Sequence, residues 1–224
     1  MEVSLKPPKK SDLEKGWMKP RRDRIIRIQP EYHLIITEGT ETEPAYFEAI
    51  KKHVNQHYPG RIQMDIHGEG ENTVSLFEKA GQLVQSSANV YKHVWIVFDT
   101  DDFPSANINR TVALCEAETN SETHYHALWS NQCIELWFLL HFSFFHSDIH
   151  RKEYWPKLTK KLMVLGKGKY VKNRSDMFDI LRPYLAQAIS NAEHLAQYND
   201  GKTPAESAPG TRVHEFLKML IPYI

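Results

Sequence analysis

Val94-Trp95-Ile96-Val97-Phe98 is an unbroken run of β-branched and aromatic residues that stops at Asp99, with Asp101 and Asp102 close behind. A run this short and apolar reads as a strand buried on both faces, as in a parallel α/β sheet. Ligands of open α/β sheets bind outside the carboxyl ends of such strands. Asp99 and Asp101 are two apart, so they share a face if the strand persists, with Asp102 opposed. Clustered carboxylates repel unless a cation lies among them, and oxygen donors suit a hard divalent ion.

His33-Leu34-Ile35-Ile36-Thr37 is a second apolar strand, and it closes in Glu38-Gly39. Beyond it the chain turns into a helix, with Thr42 as a candidate cap, Pro44 in the first turn, and Tyr46, Phe47 and Ile50 at helical spacing. In a parallel sheet Glu38 and the aspartates emerge at the same edge, which predicts one metal site built from two strands. The alternative is that strand-end acids only complement the dipoles of the following helices.

A β-α repeat organises the rest. Strands are predicted over 33–38, 61–67, 93–99 and 125–129, and helices over 43–57, from Thr73, and over 107–119. Residues 133–145 are apolar all round and predict a buried helix. After residue 150 the pattern is helical, broken at Gly166-Lys167-Gly168-Lys169, with helices near 174–198 and 211–220 and a loop over 199–210 between them. The fold class is therefore α/β: a mainly parallel sheet flanked by helices, with a C-terminal helical extension. Three segments are expected: a basic arm (1–30), a metal-binding domain (31–146), and a basic helical extension packed on the core (147–224).

The formal net charge is zero, but its distribution is uneven. Residues 1–30 balance at +5, residues 31–150 at −11 and residues 151–224 at +6. An acidic middle between basic ends suits a metal-binding core with arms that hold a polyanion. The candidate nucleic-acid contacts are Arg21, Arg22, Lys160, Lys161, Lys167, Lys169 and Lys172. Tyr154, Trp155 and Tyr170 lie among these lysines and read either as stacking rings for a single strand or as packing. No apolar run is long enough to span a bilayer, no secretory h-region opens the chain, and Cys115 and Cys133 lack metal-type spacing. A cytoplasmic location without membrane association is the expectation.

Other residues join the acids as candidates. Glu135 interrupts an apolar helix, where a lone carboxylate is costly, so it reads as a further metal ligand or as a paired group. Glu43 reads as a contributor to a second metal or as a helix-start acid. Ser130 and Asn131, at the end of the fourth strand, read as phosphate-orienting or capping groups. His141, His146 and His150 are spaced by five and four and do not share one helical face, which argues against zinc there. No Walker-type phosphate loop is present.

The order strand-Glu-Gly, helix, strand, helix, strand-Asp-x-Asp resembles the Toprim domain of topoisomerases, primases and OLD-type nucleases. More closely, Thr37-Glu38-Gly39-Thr40-Glu41-Thr42-Glu43-Pro44-Ala45-Tyr46-Phe47 resembles the signature of the RloB-like family. The likeness continues in Val97-Phe98-Asp99-Thr100-Asp101-Asp102-Phe103, in Ser130-Asn131-Gln132-Cys133-Ile134-Glu135-Leu136-Trp137, and in the closing helix after Thr211. Members of that family commonly carry Pro and Phe where this chain has Gln132 and Ile134, which puts the local turn in question. The resemblance implies a Toprim-like domain, with Glu38 as acid/base or metal ligand and Asp99 and Asp101 binding Mg²⁺ (or Mn²⁺). It also implies a place in phage defence or abortive infection, often beside an ATPase. The expected function is metal-dependent hydrolysis of DNA or RNA phosphodiesters. The alternative is a non-catalytic metal- or nucleotide-binding defence subunit that docks an ATPase partner.

Overall fold

The computed structural model describes residues 29–100 and 104–224. Arg21, Arg22 and Asp101, and with them most of the basic arm, lie outside the described residues. Four strands, β1 (Glu31–Thr37), β2 (Ile62–Gly68), β3 (Tyr91–Asp99) and β4 (His124–Ser130), form one sheet in the order β2-β1-β3-β4. All three pairings are parallel. Between the strands run α1 (Thr42–His57), α2 (Thr73–Ser86) and α3 (Ser105–Glu118). The C-terminal part is helical: α4 (Glu135–Leu140), α5 (Arg151–Val164), α6 (Met177–Leu181), α7 (Leu185–Tyr198) and α8 (Val213–Leu220).

Strand alternation builds two cores. Leu34, Ile36, Val94, Ile96 and Phe98 pack against α2 and α3 through Leu76, Ala80, Ile108 and Cys115. On the other face Ile35, Trp95 and Val97 join Tyr46, Phe47 and Ile50 of α1 and the apolar sides of α4 to α8. The extension thus shares its core with the sheet. Because α1 covers one face while α2 and α3 cover the other, the connections of β1 and β3 depart in opposite directions. That divergence opens a crevice at the carboxyl ends of these two central strands, where α/β sheets bind ligands.

Two elements differ from expectation. The apolar stretch 133–145 is buried, but its α-helix covers only Glu135–Leu140. Burial on every side fixes where a segment sits, not how long it stays helical, and the chain turns at His141–Ser143. The predicted helix over 174–198 is three pieces, since Pro183 sits in a 3₁₀ turn (Arg182–Tyr184) between α6 and α7. Proline withholds the amide that a continuous helix needs. Thr42 does not cap α1: it is the first helical residue, Glu41 holds the cap position, and no side chain caps the end. Among the described residues no helix is long and apolar enough to cross a membrane.

Candidate active site at the carboxyl ends of the central strands

Glu38 follows β1 directly, and its amide still pairs with the Val97 carbonyl of β3 at 2.9 Å. Its Oε2 accepts the Asp99 amide at 3.1 Å, so the two central strands are joined through a candidate acid. Loop geometry around them is tight. Thr37 Oγ1 donates to the Gly39 carbonyl at 2.7 Å, and the Gly70 amide donates to the Glu38 carbonyl at 3.1 Å. A Cβ on Gly68 would stand 3.0 Å from the Gly39 carbonyl oxygen and 3.1 Å from Thr40 Cα, so only glycine lets β2 end this close to the acidic loop.

A cavity of about 270 Å³ opens here, lined by Glu38 to Glu43, Asp99, Cys133, Glu135, Arg151, Trp155 and Lys172. Four of the predicted acids, Glu38, Asp99, Glu43 and Glu135, meet in it. A larger cavity of about 460 Å³ lies along β4 beside α3, between residues such as Glu116, Lys202 and Arg212. It contains none of these acids, and chemistry rather than size identifies the candidate site.

Glu43 and Glu135 are only 8% and 2% exposed. Burial first, then the charge of Glu135, pushes the Glu43 carboxyl above its ordinary range. The Glu43 carboxylate lies over Gly39, where a Cβ would come within 2.1 Å of its Oε2. Glu135, at the start of α4, receives two neutral donors on one oxygen: Tyr170 Oη–H at 2.7 Å and Trp155 Nε1–H at 3.1 Å. Burial and the Glu135 carboxylate push the Tyr170 hydroxyl far above its ordinary range, so it remains a donor. Burial, with Glu135 and Asp99 adding to it, raises the Cys133 thiol in the same way. These surroundings favour the protonated thiol.

The remaining predicted residues divide. Lys172 lines the cavity with its ammonium 4.9 Å from the Trp155 ring centre, while Lys160, Lys161, Lys167 and Lys169 are exposed on α5 and the loop after it. Tyr154 and Tyr170 are buried, so the reading of them as stacking rings gives way to packing and to support of Glu135. The Ser130 hydroxyl pairs with that of Thr211 at 2.9 Å rather than capping a helix, and Asn131 is buried with its Oδ1 unpartnered. Gln132 has φ of +66°, a conformation closed to proline, and its Oε1 accepts the Arg151 amide at 3.1 Å. The turn therefore differs from one built on proline, and it ties α4 to the start of α5. His141 is buried, whereas His146 and His150 are exposed, so these three form no shared site.

Sequence reasoning missed Arg151 as a cavity residue, and missed Trp155 and Tyr170 as the groups that hold Glu135. They lie 16, 20 and 35 residues beyond it. The one available signal was the cost of burying Glu135, which required partners without naming them. A family model described as "RloB-like protein" matches residues 33–220. No curated protein and no solved structure matches the chain.

Proposed function

Since the chain belongs to the RloB-like family, we propose that its acidic cavity is the active site of a Mg²⁺- or Mn²⁺-dependent nuclease working in phage defence. The observation that carries this reading is the convergence of Glu38, Asp99, Glu43 and Glu135 on one cavity that also contains Arg151 and Lys172. The donor set is all oxygen, and Glu43 and Glu135 are buried carboxyl groups whose mutual repulsion a divalent cation would relieve. These residues fit the ion the family resemblance implies.

Glu38 and Asp99 would hold the cation between β1 and β3, together with Asp101. Glu135 would present its second oxygen, because the first is occupied by Tyr170 and Trp155. When bound, such an ion lowers the pKa of an attacking water and offsets charge on the scissile phosphate. Glu43, whose carboxyl pKa is raised by burial and by the charge of Glu135, would complete the cation's oxygen shell. Arg151 and Lys172 would bind the phosphate oxygens at the cavity, and the lysines of α5 and its following loop would track the strand backbone. The loop stays close to the acids because Tyr170 anchors it: its hydroxyl bonds Glu135 and its amide donates to Thr159 Oγ1 at 3.2 Å.

The test is cleavage of labelled single- and double-stranded DNA and RNA by the purified chain, with Mg²⁺ or Mn²⁺ and with chelator. Cleavage that requires the metal and disappears in Asp99→Asn supports the proposal. Cleavage that persists in an Asp99→Ala, Asp101→Ala double variant rejects it. Metal binding without cleavage, together with stable capture of an ATPase, would favour the non-catalytic subunit instead.

A further inference from the structure

β4 forms one edge of the sheet, and its outer side is closed at both ends but open in the middle. The Ser130 carbonyl accepts the Thr100 amide at 2.9 Å, so even-numbered residues of β4 turn their backbone groups toward β3 and odd-numbered ones turn theirs outward. Toward the carboxyl end the Arg212 amide donates to the Trp129 carbonyl at 2.8 Å, and the Asn131 amide to the Gly210 carbonyl at 2.7 Å. Toward the amino end Thr119 Oγ1 accepts the Tyr125 amide at 2.9 Å and lies 3.2 Å from the Tyr125 carbonyl. Ala127 stands between these closures. Its N–H and C=O, and the Trp129 N–H beside them, take no partner among the described residues.

Ala127 and Trp129 line the cavity of about 460 Å³ between α3, α8 and the loop after α7. Unpaired edge groups commonly invite another strand, but strand addition needs a row of them, and here the row is one residue long. The volume is that of a small-molecule site. Along the edge the backbone reads donor, acceptor, donor: Ala127 N–H, Ala127 C=O, Trp129 N–H. Of the two purines, adenine offers the complementary order of acceptor, donor and acceptor, and guanine does not. Tyr125 and Trp129 add aromatic surface, and Lys202 and Arg212 add cations. Lys202 Nζ donates to Asn199 Oδ1 at 2.9 Å, and Arg212 Nη1 to Glu215 Oε1 at 3.1 Å, which leaves further N–H groups on both side chains. Glu116 and Glu215 also line the cavity and suit ribose hydroxyls, as an acidic residue does in dinucleotide sites.

We propose that this cavity binds an adenine nucleoside monophosphate, with the base hydrogen-bonded to the open edge at Ala127 and the phosphate held by Lys202 and Arg212. The two carboxylates balance the two cations, so additional phosphates gain nothing there. The cavity shares no lining residue with the acid cavity, and its occupancy does not depend on Glu38 or Asp99. Because the ligand would touch α3, β4 and α8 together, its binding stabilises the fold by mass action.

Calorimetry of the full chain in chelator tests the proposal with AMP, GMP, ATP, adenosine and purine riboside 5′-monophosphate. We expect one equivalent of AMP to bind and to raise Tm, with ATP binding no tighter. GMP and purine riboside monophosphate, which leave the Ala127 edge partly unpaired, should each bind at least about tenfold more weakly. Adenosine, without the phosphate, should lose a similar factor. Lys202→Gln, a change at an exposed position, should bring AMP close to adenosine. Ala127→Pro removes the outward amide and leaves the pairing with β3 in place, a substitution that edge strands accept, and it should abolish binding. AMP binding should persist in Asp99→Asn, which separates this site from the nuclease reading. Absent AMP binding, its loss in Asp99→Asn, equal affinity for purine riboside monophosphate, or no change in Lys202→Gln or in a folded Ala127→Pro variant would overturn the proposal.

Discussion

The two ends of β1 and β3 are separated by only a few residues of buried strand, yet their chemistry is opposite. The carboxyl end gathers Glu38, Asp99, Glu43 and Glu135 on loops and helix starts, with support from Trp155 and Tyr170 of the helical extension. The amino end gathers Glu31, His33 and His93 within the strands, supported by Trp95 and His126 of the sheet itself. One end is thus assembled from long-range loop packing, and the other is fixed by strand register. A parallel sheet has this capacity because equivalent ends of its strands lie together.

The largest effect should come from removing charge at the carboxyl end. Glu38→Gln or Asp99→Asn should reduce metal-dependent cleavage by on the order of 10²–10³-fold, the range seen when one preorganised electrostatic group is lost. His93→Gln, at the opposite end of the strands, should leave the cleavage rate unchanged. If it lowered the rate as much, the distinction between the ends would collapse. Gly39→Ala offers a finer probe, because its Cβ would enter the space of the Glu43 carboxylate. We expect about a tenfold loss of Mn²⁺ affinity by calorimetry, with little further loss in a Gly39→Ala, Glu43→Ala double variant. Two changes that act through one carboxylate should not add.

Tyr170→Phe tests how the extension supports the carboxyl end. It removes a hydroxyl donor to a buried carboxylate, and hydrogen bonds to charged groups contribute about 1.5–3 kcal/mol. Urea unfolding should show a loss of that order. Trp155→Phe should cost less, since Trp155 is only partly buried.

How much of this was readable in the sequence follows from the same contrast. Glu38 and Asp99 were legible because an apolar run marks a strand and its last residue marks an end, and parallel pairing then brings the ends together. Ser130 and Asn131 were placed correctly at the end of the fourth strand, but their partners were not foreseen. The Ser130–Thr211 pairing depends on a chain segment that returns about 80 residues later. The His33–His93 grouping was invisible for a related reason. Each histidine opens an ordinary apolar strand, and only the β1–β3 register, with its shift at Tyr32, sets them side by side. Register is decided by packing across the whole sheet and leaves little local trace.

Any comparison of the two ends by pH must first subtract a background that belongs to neither. Burial lowers the His141 imidazole to about 3 and that of His214 to about 4. Both groups remain neutral in the folded chain at pH values where the unfolded chain protonates them, so the unfolded state binds more protons below about pH 6.5. Stability should be constant with respect to these groups above that pH. It should fall as pH drops toward 4, with a slope of at most about 1.4 kcal/mol per pH unit for each histidine. Tm measured between pH 7.5 and 4.5 should show the decline, and His141→Gln should flatten it where the variant folds.

The smallest effect concerns substrate handling and applies to the carboxyl end alone. Lys160 and Lys161 are exposed on α5, whereas Lys172 lines the acid cavity. If they contact phosphates, each neutralised lysine should reduce the slope of log Kd against log salt by roughly 1, with no change in sequence preference. Lys160→Ala, Lys161→Ala should therefore weaken binding of a labelled oligonucleotide modestly at 50 mM salt and hardly at all at high salt. Lys172→Ala should do the same and also lower the cleavage rate, because its ammonium sits beside the acids as well as on the strand path. A lysine on α5 that altered the rate but not the salt slope would place the backbone path elsewhere on the molecule. The outer lysines would then be a solvated face, with Arg151 and Lys172 the basic side chains that serve the cavity among the described residues.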